Sequence, residues 1–326
     1  MRWGGGLVGL SLLFGLAVPV QAAGVVARHA WLAQLVKQDR FDPVWLDDLL
    51  GEFEAGARPR VPPKPAVPRT CFTTQPPVVK AQVEKEGRRL MSTHKDLLKR
   101  VEKHYGVPAP FVVALWGIES RYGTDMGNFP ILKSLFTQAV GRSSRVPFFR
   151  EQLREFLLLS REEGWDPRVP KGSYDGAIGQ VQMLPGTLRR HAVDFDGDGR
   201  RAVYSSPADV LGSIAAYLAD NGWRRGQPYS LPVAGKPPPG VAVSRTLSKM
   251  PPWKWWRKKG LRLAPGVAEP PADLPTALIK LEERGRDRYH VVFNNFRVVT
   301  LWNRYRPFAM GVGELAARVA RKGSRE

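Results

Sequence analysis

Apolar residues recur every third or fourth position along most of the chain, and extended stretches show only late and weakly. Residues 25–38 carry Trp31, Leu32, Leu35 and Val36 at helical spacing. Asp42 before Pro43 reads as a helix cap, with Trp45, Leu46, Leu49 and Leu50 following on one face. Residues 78–104 are charged and periodic, with Val83, Leu90, Leu97, Leu98 and Val101 as inward positions. The spacing predicts a short helix over 131–139 and a strong amphipathic one over 147–163, built on Phe148, Phe149, Leu153, Phe156, Leu157 and Leu159. Further helices are expected from Pro185, over 210–221, over 274–283, from 297 to 305 and over 313–319. Strands are expected only over 229–233, 241–243 and 289–293.

The stretch that organises this pattern is 111–123, FVVALWGIESRYG. Pro108 and Pro110 favour a helix start, and Gly123 suits its end. On that helix Glu119 shares a face with Leu115, Trp116 and Val112. A carboxyl on an aromatic and aliphatic face loses solvation, so it holds its proton to higher pH. A general acid needs that property. A buried glutamate paired with an arginine is the competing reading.

Two later segments carry chemistry. Residues 172–187, GSYDGAIGQVQMLPGT, mix glycines with small and amide side chains, so backbone can approach a ligand closely. Gln182 offers both a donor and an acceptor, and the segment reads as a substrate wall or as ordinary turn capping. Residues 194–200, DFDGDGR, set carboxylates at alternate positions before a glycine, as in the opening half of a calcium loop. Asp194, Asp196 and Asp198 are the side-chain ligands expected there, with the backbone carbonyl of Arg200 at position seven. Ser205 stands where a closing glutamate is usual, and Asp209 is the replacement. A structural calcium ion is expected; a solvated acidic turn is the alternative. The cluster 251–259, PPWKWWRKK, suits saccharide or anion binding, or the packing of an irregular lobe.

A net charge of +20 suits a polyanionic partner: nucleic acid, a membrane surface or a bacterial cell wall. No nucleic-acid-binding motif stands behind the charge, so nucleic acid is not expected. Residues 1–22 read as a signal peptide, with Arg2, an apolar core over 7–18 and Val20-Gln21-Ala22 before the cut. Export favours the cell wall. The single cysteine, Cys71, allows no internal disulfide and no thiolate metal site. Proline-rich residues 56–77 read as an extended strap.

In order, spacing and chemistry, the blocks 105–123, 172–200 and 294–316, supported by 148–160 and 205–223, resemble the B-type family of lytic murein transglycosylases. The resemblance implies a mainly α, α+β fold. Its parts would be an N-terminal helical region over 23–104, a lysozyme-like helical core over 105–228, a small β-containing lobe over 229–293 and a return to the core over 294–326. It implies cleavage of the β-1,4 bond between N-acetylmuramic acid and N-acetylglucosamine, leaving 1,6-anhydromuramic acid ends. Glu119 would be the sole catalytic carboxylate, with Ser173, Gln182, Tyr122 and Asn303 along the sugar site. Calcium would sit on Asp194, Asp196, Asp198, Arg200 and Asp209, and the chemistry itself would need no cofactor. Peptidoglycan strands are the implied partner, together with cell-wall enzyme complexes. The implied location is the soluble periplasm or cell-wall space, with no integral membrane segment after signal removal. A lone glutamate fits this chemistry, because hydrolysis by inversion or ordinary retention needs a second carboxylate. Asp125 and Asp175 remain open as such partners. The chain departs from the family at Met183, Leu184, Gly186 and Thr187, and at Trp302, Tyr305 and Phe308, where lost hydroxyls are expected to remove hydrogen bonds near the groove. Two other readings stay open: a hydrolytic muramidase and a noncatalytic wall-binding scaffold.

Overall fold

The computed structural model describes residues 24–54, 77–283 and 286–321. The expected signal peptide, Cys71 and nearly all of the proline-rich stretch lie outside the described residues. Residues 1–57 and 58–326 fall into two compact units.

In the first unit the expected helix over 25–38 is two: α1 (Val25–Arg28) and α2 (Ala30–Asp39), parted at His29, whose backbone is extended. Asp42 caps α3 (Pro43–Glu54), its carboxylate accepting the Trp45 N–H at 2.8 Å. Leu32, Leu46, Leu49 and Leu50 are fully buried.

The second unit begins with α4 (Pro77–Thr93) and α5 (Lys95–Tyr105), separated at His94. Their inward positions Val83, Leu90, Leu98 and Val101 are buried. Gly106 ends α5 in the left-handed conformation and leads to α6 (Ala109–Ser120). α6 has no polar face: every residue from Val112 to Ile118 is buried. It is the central helix, packed against α4, α5, α10 (Pro207–Asp220) and α13 (Arg306–Val319). A second group, α7 (Ile131–Ala139), α8 (Val146–Glu163) and α9 (Pro185–His191), packs in sequence order. Phe148, expected inward on α8, is exposed under the Arg145 guanidinium, 5.2 Å from its ring centroid. Between these helices lies a small extended layer in which β1 (Phe129–Pro130) pairs antiparallel with β2 (Lys171–Gly172).

The β lobe is a three-stranded antiparallel sheet in the order β3 (Ser230–Pro232), β5 (Arg286–Val292), β4 (Ala277–Glu283). Residues 274–283 are therefore not a helix. Leu-Ile-Lys-Leu-Glu-Glu has good helix propensity, but the ladder with β5 and burial of Ala277, Leu278 and Ile279 prevail. Residues 241–243 are not a strand either; Val241 closes a turn onto the Pro238 carbonyl and packs beside the lobe core. α11 (Trp253–Lys258) lies on this sheet, and α12 (Asn294–Trp302) carries the chain back toward α6. Among the described residues no helix is long and apolar enough to cross a membrane.

The cluster 251–259 divides its tryptophans. Trp253 and Trp256 are buried with Leu261, Leu278, Val291 and Phe293, and their indole N–H groups donate to Glu269 and to the Thr276 carbonyl. Trp255 is exposed, with the Lys259 ammonium 4.6 Å from its ring centre. Trp253→Ala should accordingly lower stability by about 3–5 kcal/mol, whereas Trp255→Ala should cost less than about 1 kcal/mol. Urea midpoints of the two variants check the contrast.

Candidate active site

Glu119 sits in the last turn of α6, one residue before its end. Val112, Leu115 and Trp116 are buried on its helix face, as expected, and Glu119 as a whole residue is half-buried. Burial raises it from the ordinary 4.5 to about 8, against the opposing pull of a hydrogen bond from Trp302. The paired-arginine reading fails: the Glu119 carboxylate's hydrogen bond comes from an indole. The Trp302 Nε1–H donates to Oε1 at 2.8 Å.

The helix does not end on Gly123 as expected. Arg121 and Tyr122 already adopt left-handed backbone, with φ of 48° and 59°, and Gly123 follows at 88°. Two successive residues with side chains in this region are costly and must be held by their surroundings. Ser120 Oγ accepts the Gly123 N–H at 3.0 Å, and the Tyr122 hydroxyl donates to the Val83 carbonyl of α4 at 3.0 Å. The Tyr122 ring stands edge-on to Trp116 at 5.5 Å and fills the space left by Gly87 and Gly117. Tyr122 is thus a strut between α4 and the end of α6.

The glycine-rich wall faces the other side of this turn. Gly172 bridges Ile178, which bridges Met183, continuing the β1–β2 layer. A side chain at Gly127 would strike the Gly172 carbonyl at 2.3 Å, so two backbones meet there with no room for a Cβ. Ser173 Oγ accepts the Ala177 N–H at 3.0 Å. Gln182, left-handed at φ 49°, donates its amide to the Met126 and Gly179 carbonyls at 2.9 and 2.8 Å, which commits both amide hydrogens and leaves Oε1 as its remaining polar atom. Gln180 is the residue sequence reasoning missed. It accepts the Trp116 indole N–H and donates to the Tyr204 carbonyl, both at 2.8 Å, locking α6 to the wall. The sequence GQVQ offered two glutamines, and no periodicity in this irregular turn distinguishes the one that locks α6 from the one beside it.

Asn303 ends α12 and accepts the Tyr305 N–H at 3.0 Å. Of the departures, Phe308 is fully buried in α13, so its missing hydroxyl concerns the core rather than the groove. Trp302 does not lose a donor at all; it supplies one to Glu119. Asp175 lies 3.7 Å from Arg145, and Asp125 is exposed. Neither contributes to the shift of Glu119, whose causes are burial and the indole.

In the acidic loop, Asp194, Asp196 and Asp209 bring one oxygen each within 4.8 Å of one another. Asp194 accepts the N–H groups of Gly197, Asp198 and Gly199, and buried Asp209 accepts those of Phe195 and Ala202. Burial and the charges of Asp196 and Asp194 hold the Asp209 carboxyl above its ordinary range despite those hydrogen bonds. Three oxygens converging under mutual repulsion form a donor set that fits a hard divalent cation. Asp198 stands apart, its carboxylate accepting the Arg200 N–H at 2.9 Å.

Known proteins resemble this chain in sequence and fold. The chain is 31% identical over 234 residues to the membrane-bound lytic murein transglycosylase B of Escherichia coli K12, a match covering 70% of this chain and 61% of that protein, less than two thirds of its length. The crystal structure of soluble lytic transglycosylase SltB1 from Pseudomonas aeruginosa superposes with a TM-score of 0.78 at 30% identity, over 90% of this chain and 97% of that one. The Escherichia coli lytic transglycosylase Slt35 in complex with calcium superposes with a TM-score of 0.76 at 28% identity, over 92% and 94%. The sequence pattern of the transglycosylase SLT domain runs through residues 30–317, from the first helices to α13, and the chain belongs to that family.

Proposed function

We propose that this chain is a lytic transglycosylase that cleaves the β-1,4 bond between N-acetylmuramic acid and N-acetylglucosamine of peptidoglycan. The observation that carries it is Glu119: a carboxyl raised to about 8 by burial, on a helix that Gln180 ties to the glycine-built wall. Near neutral pH such a group is protonated and can act as an acid. Its proton passes to the glycosidic oxygen as the C1–O bond breaks, and the bond pair leaves with the N-acetylglucosamine hydroxyl. The substrate acetamido oxygen stabilises the cation at C1. Glu119, now a carboxylate, takes the proton of the muramyl C6 hydroxyl, whose oxygen closes on C1. The anhydro ring forms without water, and Glu119 regains its proton. No second carboxylate is required. Gln182 Oε1 and Ser173 orient the sugar; Tyr122 and Asn303 shape the site by holding the backbone on either side of it.

Asp194, Asp196 and Asp209 would hold a structural calcium ion; the Arg200 carbonyl would be a further oxygen ligand, and Asp198 is left on the Arg200 N–H. Its charge would relieve their repulsion and fix the loop that leads into α10. The basic surface suits an acidic wall polymer in the periplasm, where the signal-peptide reading of residues 1–22 directs the chain.

Purified sacculi should release anhydromuropeptides, read by mass spectrometry. Glu119→Gln should reduce release by at least about 10²–10⁴-fold. Products heavier by one water would make the chain a hydrolase, and binding without products would make it a scaffold.

The raised carboxyl also sets a pH dependence of stability. The folded group keeps its proton to about 8, whereas an unfolded glutamate releases it near 4.5. Between those values the folded state binds more protons, so stability falls as pH rises through the window and stays reduced above it. Glu119→Gln removes this penalty. Its stability advantage should be absent near pH 4 and reach on the order of 3–5 kcal/mol near pH 9, measured as paired denaturant midpoints. Equal differences at both pH values would refute a buried, proton-holding carboxyl.

Calcium at about 100 times its dissociation constant should stabilise the fold by about 2.7 kcal/mol. Thermal melts with calcium and with chelator test this, and Asp209→Asn should abolish the difference.

A further inference from the structure

Trp302 is the one described side chain that hydrogen-bonds the Glu119 carboxyl, and its chemistry differs from that of a hydroxyl. An indole N–H donates only; it neither accepts a proton nor gives one up near neutral pH. The ring is fixed from behind. It stands edge-on to buried Tyr217 of α10, with centroids 4.8 Å apart and planes at 72°, and His191 packs edge-on behind Tyr217 at 5.0 Å. The donor therefore reaches Oε1 at 2.8 Å from a braced ring at the end of α12.

We propose that Trp302 is a positioning residue: its indole N–H occupies Oε1 of Glu119 and leaves Oε2 as the oxygen that delivers the proton to the leaving group and takes it back from the attacking hydroxyl. In a neutral acid the carbonyl oxygen is the stronger acceptor, so an N–H donated to Oε1 favours the proton on the other oxygen. The same bond persists when the group is a carboxylate, and there it is stronger. Trp302 thus biases the carboxyl toward its charged form, against burial. The catalytic part of this inference rests on the transglycosylase reading above.

Other titratable groups on the helices around α6 have partners or surroundings of their own. On α4, Glu84 is bound by Arg88 and by Arg318 of α13, and Glu86 by Arg89. On α5, Glu102 accepts the Ala109 N–H, and burial with the Arg89 charge holds His94 below its ordinary 6.5. On α10, Asp220 binds His191, and Asp209 is held by backbone N–H groups. Burial holds the Tyr122 and Tyr217 hydroxyls above 10.

The test compares Trp302→Phe, which keeps a ring without a donor, with Trp302→Tyr, which restores an O–H donor. In the unaltered protein the kcat/KM for sacculus digestion should fall as Glu119 loses its proton. In Trp302→Phe that alkaline limb should move up by about 1–2 pH units, because the carboxylate has lost its donor. Trp302→Tyr should bring it back. A limb that stays in place in Trp302→Phe, even with slower turnover, makes Trp302 a packing residue and overturns the inference. A second readout needs no turnover: the Trp302 indole 15N signal should titrate with Glu119 and stop titrating in Glu119→Gln. An indole signal flat with pH in the unaltered protein overturns the hydrogen bond. If sacculi yield no product at any pH while the indole still titrates, the transglycosylase reading fails and the positioning geometry stands.

Discussion

A helix buried on all sides must end somewhere, and α6 ends on a carboxyl. Every residue from Val112 to Ile118 is removed from water by α4, α5, α10 and α13. Glu119 comes next, too close to that packing to be fully solvated and too near the surface to be sealed off. Its burial penalty is fixed by the core, so the proton affinity of the site follows from the stability of the central helix. A looser packing around α6 would let water in and return the carboxyl toward its ordinary range. Core density and acidity are one property here.

Around that group the chain builds its walls largely from backbone. Gly127 meets Gly172 with no space for a Cβ, and Arg121, Tyr122 and Gln182 accept left-handed conformations that bring peptide groups close together. Side chains of the expected sugar site are partly consumed in holding these turns: Ser173 accepts from Ala177, and Gln182 donates to Met126 and Gly179. In the proposed recognition of a sugar this need not be a loss. It fixes which atom each presents, and a group fixed before binding loses less entropy on binding.

Most helices were legible because their apolar spacing and caps agree, as for α3 behind Asp42 and α7 over 131–139. The central helix and its carboxyl were legible for the same reason. Residues 274–283 were not, because Leu-Ile-Lys-Leu-Glu-Glu favours helix locally and only its ladder with 286–292 makes it a strand. The tryptophans at 253, 255 and 256 could not be assigned in advance to core or surface, since that depends on which face of a six-residue helix meets the sheet. The donor on Glu119 was also out of reach. Trp302 is 183 residues away in sequence, and spacing carries no information about a contact that long. Exchange of a hydroxyl for an indole reads as a loss in the sequence and is a retained donor in space.

A single carboxyl that acts first as acid and then as base works best when neither form is too stable. In the proposed reaction burial alone would work against the second half, because a fully desolvated carboxyl holds its proton tightly and is slow to exist as the base. A strongly paired carboxylate, as with an arginine, would fail as an acid in the first half. A neutral donor lies between these extremes. The indole adds no charge, so it moderates the effect of burial without cancelling it. Because it cannot exchange a proton, it also cannot divert the one that the substrate must receive. The opposition between the α6 core and the Trp302 N–H is what holds Glu119 at about 8, and the proposed reaction draws on both of its forms.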